Sequence, residues 1–166
     1  MQMDEELDIL SAQVGDALQR QGFMLATAES CTGGWVAQTV TAVAGSSRWF
    51  ERGFVTYTNI AKQEMLGVRA ATLAEFGAVS EQTVREMAQG ALNNSHAQIS
   101  LAISGIAGPG GATLDKPVGM VCFAWAGIDF PVRSRTEHFL GNREAVRRQA
   151  VLTALRGVLT AIDEKR

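Results

Sequence analysis

Within residues 4–21 the apolar positions Leu7, Leu10, Val14, Ala17 and Leu18 recur at the three-and-four spacing of an amphipathic helix, and Gly22 stands where such a helix ends. Phe23 to Ala28 is a short apolar run between Gly22 and a turn-like stretch from Glu29 to Gly34, which predicts a buried strand. Trp35, Val36, Val40 and Val43 return to helical spacing as far as Gly45-Ser46-Ser47. Gly53 to Thr58 alternates and is rich in β-branched and aromatic residues, predicting a second strand, with Asn59 as cap of a helix that carries Lys62, Met65 and Leu66. Ser80 is placed to cap a helix through Asn93, with Val84, Met87, Ala88, Ala91 and Leu92 on its apolar face. Ile99 to Ser104 reads as a strand, 105–117 as a loop, and 118–126 and 132–139 as two strands near enough to form a hairpin. A last helix runs from Asn142 to Ile162, turning Val151, Leu155, Val158 and Ile162 inward. Strands alternating with helices, closed by a hairpin, predict an α/β sandwich: one domain over 1–166 with a mixed central sheet flanked by helices.

Composition narrows the partners. The 166 residues are 46% hydrophobic and 19% charged, an ordinary globular balance, and the formal net charge of -2 supplies no basic field for nucleic acid or anionic membrane. A small-molecule ligand is the expectation. No apolar run approaches the roughly 20 residues of a membrane span, and the start M-Q-M-D-E-E-L-D is acidic where a signal peptide is basic, so a cytoplasmic location is expected. Cys31 and Cys122 form no spaced cluster, which argues against a disulfide framework or a structural zinc site. The apolar terminal helices suit a homo-oligomer, a dimer first.

The chemistry concentrates in A-E-S-C-T-G-G, residues 28–34. After a strand this turn places Ser30 at the carboxyl end of the sheet, with the amides of Cys31, Thr32, Gly33 and Gly34 at a helix start, suited to an anion or a developing oxyanion. Capping of that helix by Ser30 or Thr32 is the competing reading. A serine needs a base. His96 and His138, the two histidines, sit at a helix end and in a polar strand without a catalytic signature. Lysine is the alternative when burial lowers its pKa. Of the three lysines, Lys116 lies in a long loop and Lys165 near the C-terminus, whereas Lys62 follows the strand-to-helix junction F-V-T-Y-T-N-I-A-K, on the sheet edge that carries Ser30. Tyr57, the single tyrosine, ends the same predicted strand and is placed to relay or orient a proton; a solvated Lys62 and an interfacial Tyr57 are the plain alternatives. Cys31 as a thiolate at a helix start has no histidine partner and reads as a pocket residue. S-G-I-A-G-P-G-G, residues 104–111, is a glycine-rich loop after an apolar strand, either shaped around a ligand or a plain turn, and matches neither a dinucleotide fingerprint nor a P-loop. Arg143, Arg147 and Arg148 either grip a phosphate or form a solvated helix face.

Seven ordered motifs, A-E-S-C-T-G-G at 28–34, G-S-S-x-W-F at 45–50, G-x-V-x-Y-x-N-x-x-K at 53–62, G-A-V-S at 77–80, S-G-I-A-G-P at 104–109, K-P-V-G at 116–119 and G-N-R-E-A-V-R at 141–147, together resemble the CinA C-terminal-domain family over nearly the whole chain. The resemblance implies hydrolysis of the carboxamide of nicotinamide mononucleotide to nicotinate mononucleotide and ammonia, in pyridine-nucleotide salvage, without metal or organic cofactor. It puts the family's serine, tyrosine and lysine on Ser30, Tyr57 and Lys62. The substrate is expected against Cys31, Thr32, Gly33, Gly34, the stretch Ser104, Gly105, Ile106, Ala107 and Gly108, and Arg143. The loop after Pro109, G-G-A-T-L-D, departs from the family pattern by being shorter, which bears on selectivity and not on the chemistry.

Overall fold

The computed structural model describes residues 4–164. Met1 to Met3, which begin the acidic N-terminal stretch, and Lys165, set aside above, lie outside the described residues. The elements follow in the order α1 (Glu5–Gln21), β1 (Leu25–Glu29), α2 (Trp35–Thr41), a 3₁₀ turn (Ser46–Arg48), β2 (Phe50–Val55), α3 (Asn59–Leu66), α4 (Ala70–Phe76), α5 (Glu81–Asn93), β3 (Ile99–Gly105), β4 (Met120–Gly127), β5 (Phe130–His138) and α6 (Arg143–Glu164). The sheet runs β2-β1-β3-β4-β5. β1 pairs in parallel with β2 and β3, while β4 is antiparallel to β3 and β5, so the sheet is mixed and the two last strands are the expected hairpin.

Helices cover both faces. Leu7, Leu10, Val14 and Leu18 of α1 and Val151, Leu155, Val158 and Ile162 of α6 pack with Leu25, Leu101, Ile103, Phe123 and Trp125 on one face. On the other, Val84, Met87, Ala88 and Ala91 of α5 and Leu66 of α3 cover Ala26, Ala28, Ala102, Cys122 and Ala124. Small residues on that second face let α5 lie close to the strands. The approach of α5 to α3 is closer still: a Cβ on Gly90 would stand 1.9 Å from the carbonyl oxygen of Leu66, so only glycine seats α3 in this position.

Local signals explain most boundaries. The Asp4 carboxylate accepts from the amide of Leu7, Gly22 ends α1 with φ of 68°, and the Ser80 hydroxyl accepts from the amide of Thr83, so α1 and α5 start and stop where their sequence offers such residues. Two expectations shift. The second strand is Phe50–Val55, not 53–58, because β1 ends at Glu29, whose register partner is Val55; Thr56 adds a last amide bond to the Glu29 carbonyl, and Tyr57 and Thr58 lie beyond the paired strand. The Thr58 hydroxyl therefore caps α3 by accepting from Ala61, and Asn59 is the first helical residue. α4 had no readable pattern, since only Thr72 and Leu73 of it are buried.

The chain leaves β1 toward β2 on one side, through α2, and returns to β3 on the other side, through α3, α4 and α5. The carboxyl ends of β1 and β3 thus flank a topological switch point, the crevice where ligands of open α/β sheets are found.

Candidate active site

Ser30 is the first residue after β1 and is 7% exposed; its amide extends the ladder by donating to the carbonyl of Ile103. Lys62, on the first turns of α3, is 1% exposed. Its Nζ stands 3.0 Å from Ser30 Oγ, 2.9 Å from the carbonyl oxygen of Thr56 and 3.2 Å from that of Tyr57. No carboxylate pairs with it among the described residues, and burial holds its pKa below the ordinary 10.5, against a weaker opposing influence from Cys31. Nζ thus donates to the serine oxygen and to two carbonyls, while Ser30 Oγ itself donates to the Tyr57 carbonyl at 3.4 Å.

The turn that carries Ser30 is held from three sides. Gly33 and Gly34 adopt φ of 60° and 103°, a left-handed pair that turns the chain sharply into α2. Glu29, 1% exposed, accepts from Thr32 Oγ1 at 2.7 Å and from the amides of Val36 and Ala37 at 2.8 and 3.1 Å. The α2 start is therefore capped by a carboxylate reaching back from the strand end, and neither Ser30 nor Thr32 serves as its cap. From α6, Arg147 donates to the carbonyls of Cys31 and Thr32 at 3.0 and 3.1 Å and lies over the Trp35 ring. The amides of Cys31 and Thr32 have no backbone acceptor among the described residues, which places two adjacent donors beside Ser30.

Each expected residue has a definite place. Tyr57 lies past the end of β2; its carbonyl accepts from Lys62, while its hydroxyl, on a side chain 57% exposed, accepts from Arg143 at 3.1 Å. Arg143 also donates to the carbonyl of Gly108 at 2.8 Å, so it ties the 105–108 loop to Tyr57 across the sheet edge. Gly105, Ile106 and Ala107 carry β3 into that loop, Ile106 anchored by its amide to the carbonyl of Met120. Ser104 ends the strand at 1% exposure. Thr32 is buried with its hydroxyl on Glu29, and Cys31 packs into the core on the α6 side, where burial pushes its thiol up to about 11. A thiol so held stays protonated at neutral pH. His96 is exposed just before β3, at the opposite sheet edge, and His138 is exposed at the end of β5. Arg148 pairs with Asp4 and Glu6 instead of facing the site.

A family model described as the CinA C-terminal domain matches residues 7–162. The chain belongs to the CinA C-terminal domain family. It is 58% identical over 152 residues to the nicotinamide-nucleotide amidohydrolase PncC of Escherichia coli strain K12, covering 92% of each chain. It is 46% identical over 155 residues to the protein of that name from Pseudomonas putida, covering 93% of this chain and 96% of the relative. The crystal structure of the competence/damage inducible protein CihA from Agrobacterium tumefaciens superposes with a TM-score of 0.93 at 43% identity, covering 98% of this chain and 99% of that one.

For this CinA C-terminal domain, reading residues alone had missed two members of the site. Glu29 escaped because its cap spans seven and eight residues from a strand end, whereas the local signature is a polar side chain three residues before the amide it serves. Arg147 was visible in the sequence, but only the fold aims it at the Ser30 turn instead of at solvent.

Proposed function

We propose that the chain is an amidohydrolase that converts nicotinamide mononucleotide to nicotinate mononucleotide and ammonia, a step of pyridine-nucleotide salvage. The observation that carries this reading is the buried Lys62 amine, 3.0 Å from Ser30 Oγ and with no carboxylate partner among the described residues. The amidohydrolases of similar sequence support the substrate. Ser30 Oγ attacks the carboxamide carbon while its proton passes to the neutral Lys62 amine. The amides of Cys31 and Thr32 receive the oxyanion. Lys62, now an ammonium, protonates the departing nitrogen as the C–N bond breaks, so ammonia leaves and an ester on Ser30 remains. The amine, neutral again, deprotonates water for attack on that ester, and the proton returns to Ser30 as nicotinate mononucleotide is released. The Tyr57 carbonyl, with that of Thr56, holds the amine beside the serine. Its phenol, held by Arg143, stands at the surface beside this pair. Every step uses groups already in the chain.

Ammonia release from nicotinamide mononucleotide tests the reading. Wild type turns over, Ser30→Ala loses on the order of 10³-fold or more in kcat with an unchanged melting temperature, and Cys31→Ala keeps most of its turnover. A dead Cys31→Ala beside an active Ser30→Ala moves the nucleophile to the thiol. Tight binding of the mononucleotide by wild type without any ammonia makes the chain a nucleotide binder instead.

A further inference from the structure

Two of the seven motifs, G-A-V-S at 77–80 and K-P-V-G at 116–119, take no part in the Ser30–Lys62 pair, yet the fold brings them together. Lys116 Nζ donates to the carbonyl of Phe76 at the end of α4. The two segments border a cleft of about 420 Å³, floored by Met120 and Cys122 of β4 and closed on the far side by Glu81 and Thr136.

The floor lies on the same sheet face as the nucleophile. Ser100 Oγ donates to the Ala88 carbonyl of α5 and Ala102 packs in the α5-side core, so strand alternation puts Ser104 on that side too. Ser104 is the register partner of Cys122, and Cys122 that of Thr136. Ser30 stands one position beyond the pair Glu29 and Ile103, next to Ser104. Ser30, Ser104, Cys122 and Thr136 thus form one row over four neighbouring strands, each step about 4.8 Å. Ser104 is 1% exposed, in the middle of this row. From Ser30 to Cys122 is two steps, about 10 Å, the span of a pyridine ring and a ribose laid end to end.

Charge is divided across the cleft. Both Glu81 carboxylate oxygens are engaged on the β5 side, by the hydroxyls of Ser134 at 2.8 Å and Thr136 at 2.9 Å. The Lys116 ammonium has three donors and a single acceptor, the Phe76 carbonyl, among the described residues. A cation with donors to spare and a carboxylate already fixed by hydroxyls suit a ligand that is anionic at one end and carries hydroxyls in its middle.

We infer that this cleft holds the ribose-phosphate end of a mononucleotide whose carboxamide lies against Ser30, with Lys116 pairing the phosphate and Glu81 accepting from the sugar hydroxyls. The inference rests on the amidohydrolase reading for the identity of the reacting end; the cleft itself is tested apart from it. In Lys116→Ala the preference for nicotinamide mononucleotide over nicotinamide riboside, as the ratio of kcat/KM values, falls about ten- to a hundredfold, with the loss in KM, and Lys116→Arg restores most of it. A loss that strikes both substrates equally, or no loss, overturns the assignment, and a melting curve of each variant identifies a misfolded one. Ribose 5-phosphate titrated calorimetrically into the full chain needs no turnover: it binds wild type and binds Lys116→Ala about tenfold or more weakly. If wild type releases no ammonia but ribose 5-phosphate binding depends on Lys116, the amidohydrolase reading fails and the cleft stands. If wild type is active while binding and preference ignore Lys116, the cleft fails alone.

Discussion

Lys62 joins chemistry and stability in one side chain. Burial lowers its pKa, so the folded protein binds fewer protons there than the unfolded chain between the lowered value and 10.5. Stability therefore climbs as pH rises through that window, and below it the buried amine imposes a constant penalty. Lys62→Met removes the titrating group and flattens this climb: melting temperatures of the two proteins, measured from pH 7 to pH about 10.5, diverge in favour of wild type as the pH rises. Parallel curves would mean that the amine is charged in the folded state. The same variant loses on the order of 10³-fold or more in kcat, and the acid limb of the wild-type kcat/KM profile falls below the pKa of a free lysine. The two carbonyls that lose their donor in Lys62→Met add a destabilisation that does not depend on pH, which is why the slope is the informative quantity.

At the level of elements, the placement of α3 decides whether Lys62 meets Ser30, the base and nucleophile of the proposed mechanism. Gly90→Ala drives a methyl group into the Leu66 carbonyl, and because backbone cannot yield as a side chain does, α3 must move. The expected result is a loss of about 1–3 kcal/mol in denaturant unfolding together with a fall in kcat, although position 90 touches neither Ser30 nor Lys62. Full activity in a destabilised Gly90→Ala would detach the position of α3 from catalysis. What was legible along the chain follows the same division. α1 and α5 were readable because their apolar stripes and their ends, Gly22 and Ser80, are encoded within a few residues. The start of β2 was not, since its register is dictated by β1, some 25 residues earlier in sequence, and nothing local marks Val55 as the last paired residue. In the site, the residue types were legible by elimination, with three lysines and two histidines to choose from, while the meeting of Ser30 and Lys62 across 32 positions is a property of the fold.

The whole molecule is closed by its two terminal helices. Arg148 of α6 donates to Asp4 and Glu6 at the start of α1, and Arg156 adds a second contact to Glu6. The Arg148 guanidinium holds the carboxyls of Asp4 and Glu6 below their ordinary values. A carboxyl with a lowered folded pKa adds stability above its unfolded value and loses it as pH falls through the folded one. Arg148→Ala is therefore less stable than wild type at neutral pH, by a small margin given how exposed these groups are, and the two proteins converge in acid. Urea unfolding at pH 7 and at pH about 3 measures both, and a difference that persists in acid would assign the effect to packing of the arginine stem instead.

Glu29 has one more consequence, for the polarity of whatever enters. With its carboxylate seated on the first amides of α2, the positive pole of that helix is already neutralised from within, and a carboxylate lies directly behind Ser30. A phosphate gains nothing from that helix start. Under the proposed function, the phosphorylated end of the ligand therefore stays away from Ser30 and its uncharged amide enters foremost.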